Sequence, residues 1–199
     1  MNTEQRGATE LVHLADEAAI DTSLSADAFR AAFRGHAAGV AVITAEGADG
    51  PAGMTATSVF SVSATPPLLV FSVSDLSSAT PTIVAAASVV VHLLGADQVD
   101  LAKLCATSGV DRFADTSMWK RLPTGEPYFP SAHTWVRGVV VNTLVAGSST
   151  LIVVNATHTG SGTAASGGDA PESENASSAR PLVYHNRTWH ELGSHSRLG

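Results

Sequence analysis

At 199 residues the chain is sized for one domain, and a hydrophobic content of 44% is enough for a real core. Only 15% of residues are charged, the net charge is −7 and the basic residues are scattered, so nucleic acid is not an expected partner. No run approaches the roughly 18 apolar residues of a membrane span, and the polar start at Met1 does not lead into a secretory leader.

Residues 8–20 read as a helix with Leu11, Leu14 and Ala18 on one face, within a helical extension over 1–25 that precedes a main domain at 26–195. Phe29, Ala32, Phe33, His36 and Ala37 keep helical spacing behind Asp27, with Gly39 as the stop; His36 reads as a packed residue. Strands follow at 40–44, 51–57 and 59–63, the last alternating in polarity. Pro66 and Pro67 separate these from a buried strand at 68–73. Thr80-Pro81 reads as a helix start, with Thr80 the cap and the helix running to 87. A buried strand at 88–94 and a helix at 97–106 come next, the helix turning Leu101 and Leu104 inward.

Cys105, the single cysteine, lies in that helix and reads as packed rather than nucleophilic. One cysteine leaves no internal disulfide and fits a reducing cytoplasm. Two long strands at 135–145 and 150–157 flank Gly147-Ser148-Ser149, a hairpin pattern. From 156 to 179 there is no large apolar side chain, which predicts a flexible insertion. Strands at 181–185 and 189–192 around a turn at Asn186-Arg187 close the chain. The sum is a mainly β fold with α decorations, a barrel rather than a nucleotide-binding α/β sheet, since no G-x-G-x-x-G occurs.

Two hydroxyl clusters stand out. Thr55, Thr57, Ser58, Ser61 and Ser63 crowd one strand with almost no charge nearby. Such side chains donate hydrogen bonds without demanding a counter-ion, which suits an uncharged polar ligand or a phosphate; they equally suit an ordinary Thr-rich strand. Ser77-Ser78-Ala79-Thr80 ends a loop and opens a helix, either a phosphate site or a plain cap. The eight histidines include no H-x-x-x-H pair, so no metal site is expected. His185 ends a strand where a side chain can reach a cofactor. Asp111-Arg112-Phe113 reads as a surface salt bridge beside a core Phe. No G-x-S-x-G elbow supports hydrolase chemistry.

Taken in order, His36 to Thr44, Gly53 to Ser58, Ser61-Val62-Ser63 with Pro66-Pro67, Ser77 to Thr80, Val91 to Leu94, Asp111-Arg112-Phe113 and Pro181 to His185 resemble the flavin reductase-like family of FMN-binding split barrels. The resemblance covers 29–193. It implies a homodimeric split β-barrel that reduces FMN, or FAD, with NADH or NADPH and supplies reduced flavin to a partner monooxygenase. A flavoprotein that retains its FMN, or a non-catalytic flavin- or haem-binding barrel, stays as an alternative. By resemblance, Pro51, Ala52, Gly53, Met54 and Thr55 with Thr57 and Ser58 line the flavin. Ser72, Val73 and Ser74 continue that wall. Ser78, Ala79 and Thr80 hold its phosphate, and Leu104 and Cys105 touch the flavin from the helix. Tyr184, His185, Asn186 and Arg187 meet the nicotinamide nucleotide. No acid–base residue is expected to be essential; His185 is the candidate for a supporting role. Three departures mark this chain. Ala79 stands where an Arg is common, Leu104-Cys105 where Arg-Phe is common, and Gly147-Ser148-Ser149 where Gly-Asp-His is common.

Overall fold

The structure, a computed structural model, describes residues 23–162 and 180–198. The helix expected over 8–20 and the part of the expected insertion at 163–179 lie outside the described residues.

In chain order the elements are α1 (Ala26–Arg34), β1 (Ala38–Gly39), β2 (Ala41–Gly47), β3 (Gly50–Ala56), β4 (Phe60–Ala64), β5 (Pro67–Ser74) and α2 (Thr80–Ala85). Then come β6 (Ser88–Leu93), α3 (Val99–Ala106), β7 (Lys120–Arg121), β8 (Pro127–Tyr128), β9 (Thr134–Ala146), β10 (Ser149–Ser161), β11 (Leu182–His185) and β12 (Thr188–Glu191). Seven strands form one antiparallel sheet in the order β3-β2-β6-β9-β10-β5-β4. It curls without closing, which is the split barrel. The small sheet β1-β11-β12 sits beside it, tied on by Val40 N–H to Leu182 O at 3.1 Å and Leu94 N–H to Val40 O at 3.1 Å.

β2 explains the architecture. Successive side chains of a strand point to opposite faces, and both faces of β2 are buried from Ala41 to Ala45. Ala41, Ile43 and Ala45 enter the barrel interior with Phe71, Val73, Val89, Val91, Ile152 and Val154. Val42 faces the other way, into a second core with Leu101, Ala102, Cys105, Phe113 and Phe129. Each large apolar side chain so buried contributes roughly 1.5–3 kcal/mol. His92, from β6, bridges the second core: its Nδ1 lies 2.9 Å from Val42 O and Phe129 N–H donates to its Nε2 at 3.0 Å. Both ring nitrogens are therefore used with Nδ1 protonated. Burial, against the bond to Val42, brings the imidazole pKa down to about 4.

Several boundaries differ from the sequence reading. α1 stops at Arg34, capped by Gly35, and none of its residues is buried. His36 is exposed rather than packed, because among the described residues no element covers that apolar face. Thr80 is not the cap of α2: the N-cap is Ala79, and the Thr80 hydroxyl donates to Ser74 O at 2.6 Å, closing the preceding loop instead. Leu104 is half-buried, while Cys105 takes the inward position at 1% exposure. β4 alternates in sequence but buries nothing, being the last strand of the sheet. β10 runs to Ser161, so 156–161 is strand rather than flexible insertion. The ladder to β9 explains it: Gly160 pairs with Trp135, whose ring lies where a Gly160 Cβ would stand.

Candidate functional site

β3 is the wall from which the site is built. Its even residues turn inward: Ala56 is buried in the barrel, and Ala52 and Met54 pack against the same core. Its odd residues turn toward α3 and Phe113. Gly53 backs onto the Phe113 ring, which a Cβ would meet at 3.3 Å. Thr55 Oγ1 donates to Ala102 O of α3 at 2.6 Å. Thr57, just past the strand, is exposed.

A groove of about 220 Å³ lies at one end of this wall. Pro51, Ala52 and Gly53 form one side, Ser78, Ala79 and Thr82 the second, and Val110 to Phe113 the third. Residues 25 to 62 positions apart in sequence thus meet, from Gly53 and Ser78 to Pro51 and Phe113. The floor is rigid: Phe113 stacks on Phe129 with centroids 5.6 Å apart at 20°, and Trp119 meets it edge-on at 5.2 Å. Trp119 Nε1–H also donates to Phe113 O at 2.9 Å. The Ser77–Thr80 loop is held by Thr80 N–H to Ser77 O at 3.1 Å and by Ala79 N–H to Ser77 Oγ at 3.3 Å. Among the described residues Arg112 makes no salt bridge, contrary to the sequence reading. Its Nε donates to Cys105 O at 3.1 Å and its Nη2 to Thr107 O at 2.9 Å, because the end of α3 offers unpaired carbonyls.

A second groove, about 330 Å³, lies at the other end of the same wall. Thr57, Tyr184, His185, Asn186 and Arg187 line it together with Phe29, Arg30, Phe33, Arg34 and His36 from α1 and the turn after it. The β11–β12 turn is tight: Asn186 and Arg187 have φ of 49° and 62°. Asn186 N–H donates to Arg34 O at 3.1 Å, which fixes the turn against α1. At about 3.3 Å per residue, Gly53 and Thr57 stand roughly 13 Å apart.

Of the residues expected in the site, Pro51, Ala52, Gly53, Ser78 and Ala79 line the first groove, and Thr57 with Tyr184 to Arg187 the second. The others line neither. Met54 faces the barrel. The Ser58 hydroxyl donates to Ser72 O at 3.1 Å and accepts from Ser72 N–H at 3.0 Å, joining the chain after β3 to β5. Val73 is fully buried, and Ser74 Oγ accepts from Leu76 N–H at 3.3 Å. Burial pushes the Cys105 thiol up to about 12, which removes it as a nucleophile. Sequence reasoning missed Thr82 and Val110 in the first groove and the whole α1 contribution to the second. The signal for the latter was there: Phe29 and Phe33 alternate with Arg30 and Arg34, a poor pattern for a buried helix.

Residues 33–193 match the family model described as "Flavin reductase like domain". The chain belongs to the flavin reductase-like family. It is 40% identical over 166 residues to a protein of Rhodococcus erythropolis named NADH:FMN oxidoreductase, covering 83% of this chain and 81% of that one. Among solved structures, a flavin reductase domain protein from Arthrobacter sp. FB24 superposes with a TM-score of 0.73 at 30% identity, over 84% of this chain and 95% of the other. The flavin reductase component of a bacterial two-component tryptophan halogenase superposes with a TM-score of 0.68 at 26% identity, over 84% and 98%. The family's barrel is the one described above. Among the described residues no cluster of three His, Cys, Asp or Glu side chains is placed to hold a metal ion, and no helix is long and apolar enough to cross a membrane.

Proposed function

We infer that this chain is an NADH-dependent flavin reductase that takes FMN or FAD as the acceptor and hands the reduced flavin to a partner monooxygenase or halogenase. The arrangement of β3 carries this reading: one strand face joins a groove of small residues to a groove of aromatic and cationic ones. The first groove fits a flavin. Gly53 lets the Phe113 ring of the floor pack close against the strand backbone, and Ser78 and Ala79 add a hydroxyl and backbone without bulk. Thr55 has committed its proton to Ala102 O, which ties the wall to α3 behind the groove. The flavin, when bound, supplies the two-electron chemistry. The chain orients it and brings a dinucleotide against it from the second groove, where Tyr184 to Arg187 offer an aromatic face, an imidazole and a cation. The displaced titratable groups His92, Cys105 and Glu126 lie outside both grooves, in keeping with a reaction that needs no protein acid or base. The Rhodococcus relative supports NADH and FMN, and the halogenase component supports the two-component arrangement.

We assign a homodimer as the working form. Phe60 and Val62 on β4, 56% and 53% exposed, with Val141 and Val145 on β9, 53% and 69% exposed, are apolar surface that a second copy would cover. We propose a cytoplasmic location, a reading supported by the single cysteine, which leaves no internal disulfide.

Steady-state NADH oxidation with and without added flavin tests the assignment. Free FMN should accelerate oxidation at least tenfold and saturate as a substrate does, in the range of ordinary enzyme turnover. No oxidation of NADH or NADPH with either FMN or FAD present would overturn it.

A further inference from the structure

The Ser77–Thr80 loop carries no cation, since Ala79 stands at its third position. The first groove nevertheless contains one. Arg112 is the only basic side chain lining it among the described residues, and no described carboxylate pairs with it. Two carbonyls at the end of α3 take Nε and Nη2 of Arg112. A guanidinium has five N–H donors, so three remain, and the two carbonyl bonds hold the plane in place. Across the groove stand Ser78, Ala79 and Thr82. The rim also carries Asp49 and Asp111, and Asp111 Oδ1 already accepts from Phe113 N–H at 2.9 Å. Those two carboxylates oppose any anion here, so a phosphate settles in this groove only if Arg112 meets it.

We propose that Arg112 reads the 5′-phosphate of the flavin, the charge that the loop itself lacks, and so makes the enzyme prefer phosphorylated flavins to riboflavin. This rests on the flavin occupying the first groove. Charge-assisted, bidentate contact is the form in which Arg recognises phosphate best. Its hydrogen bonds to a charged group correspond to about ten- to a hundredfold in affinity. If Arg112 only capped α3, it would stabilise the helix and show no preference among flavins.

The test titrates wild type, Arg112→Gln and Arg112→Lys with FMN and with riboflavin by flavin fluorescence, alongside thermal melting and the KM for NADH. Wild type should bind FMN at least tenfold more tightly than riboflavin. Arg112→Gln should weaken FMN about ten- to a hundredfold while leaving riboflavin and the NADH KM within about twofold, and Arg112→Lys should restore part of the loss. Equal weakening of both flavins, with a lowered melting temperature, would assign Arg112 to capping alone and overturn the proposal. A raised NADH KM with unchanged FMN affinity would move the phosphate contact to the dinucleotide and overturn it too. If neither flavin binds wild type, the flavin reading itself fails, and this proposal with it.

Discussion

The two grooves are made of different material. The first is walled by backbone and small side chains over a floor of buried rings: Gly53 is buried, Ala79 is 3% exposed and Phe113 8%. The second is walled by long side chains that stand half in solvent, with Phe29 53% and Phe33 58% exposed and their rings 4.7 Å apart. Close-packed walls cannot adjust without strain, so the first groove selects by shape. Exposed aromatics on a short helix re-orient at little cost, so the second selects by area and stacking. A flavin has one rigid ring system, whereas a dinucleotide folds in many ways, and each groove matches the stiffness of its ligand.

The contrast breaks most visibly at the floor of the first groove. Phe113→Ala removes the ring that stacks on Phe129 and backs Gly53, and should cost about 3–5 kcal/mol in urea unfolding together with most of the FMN affinity. A loss below about 1 kcal/mol would mean that the floor is not what keeps the groove rigid.

Acid should attack the same side next. The His92 pKa falls from 6.5 in the unfolded chain to about 4 in the fold, so between those values the unfolded chain takes up a proton that the native one refuses. Stability is therefore full above pH 6.5 and declines as pH falls toward 4, by on the order of 3 kcal/mol. Glu126 adds to this lower down. Burial alone would raise its carboxyl, but hydrogen bonds from Arg137, Ser88 and Thr124 outweigh that and hold it at about 2 against 4.5 unfolded. Its contribution is present above pH 4.5 and is lost as pH falls through 2. Urea midpoints measured from pH 7 to pH 4 read the His92 window; a flat profile would show that burial does not hold the imidazole neutral.

The smallest effect on stability belongs to the second groove. Phe33→Ala and His185→Ala should each change unfolding free energy by less than about 1 kcal/mol, since both side chains are partly solvated. Both should raise the NADH KM several-fold while leaving FMN affinity unchanged, because only uniform binding of one substrate is lost. For His185→Ala, an unchanged KM and rate would remove that residue from the account.

The same contrast decides what could be read from the sequence. Strand positions along the chain are a matter of polarity and turn residues, and those are local: the Gly147 hairpin, the Asn186-Arg187 turn and the apolar strand at 40–44 are all visible in a few residues each. The first groove was half legible, since Gly53, Ser78 and Ala79 advertise room for a ligand. Arg112 was misread because its partners are carbonyls, and carbonyls leave no trace in composition. α1 was misread because amphipathic spacing says that a face is apolar and not what covers it. Thr80, Ser58 and Thr55 show the complementary failure. A hydroxyl looks the same in sequence whether its proton goes to a ligand or to a neighbour's backbone, and here all three go to backbone.

Ser58 is the clearest of these. Its hydroxyl trades two hydrogen bonds with the main chain of Ser72, doing for one residue what a neighbouring strand does for a whole row. Among the described residues, the barrel's open seam is thus bridged by side chains such as this one rather than by a ladder. Its width becomes a quantity that evolution can set one residue at a time, with the core on either side left alone.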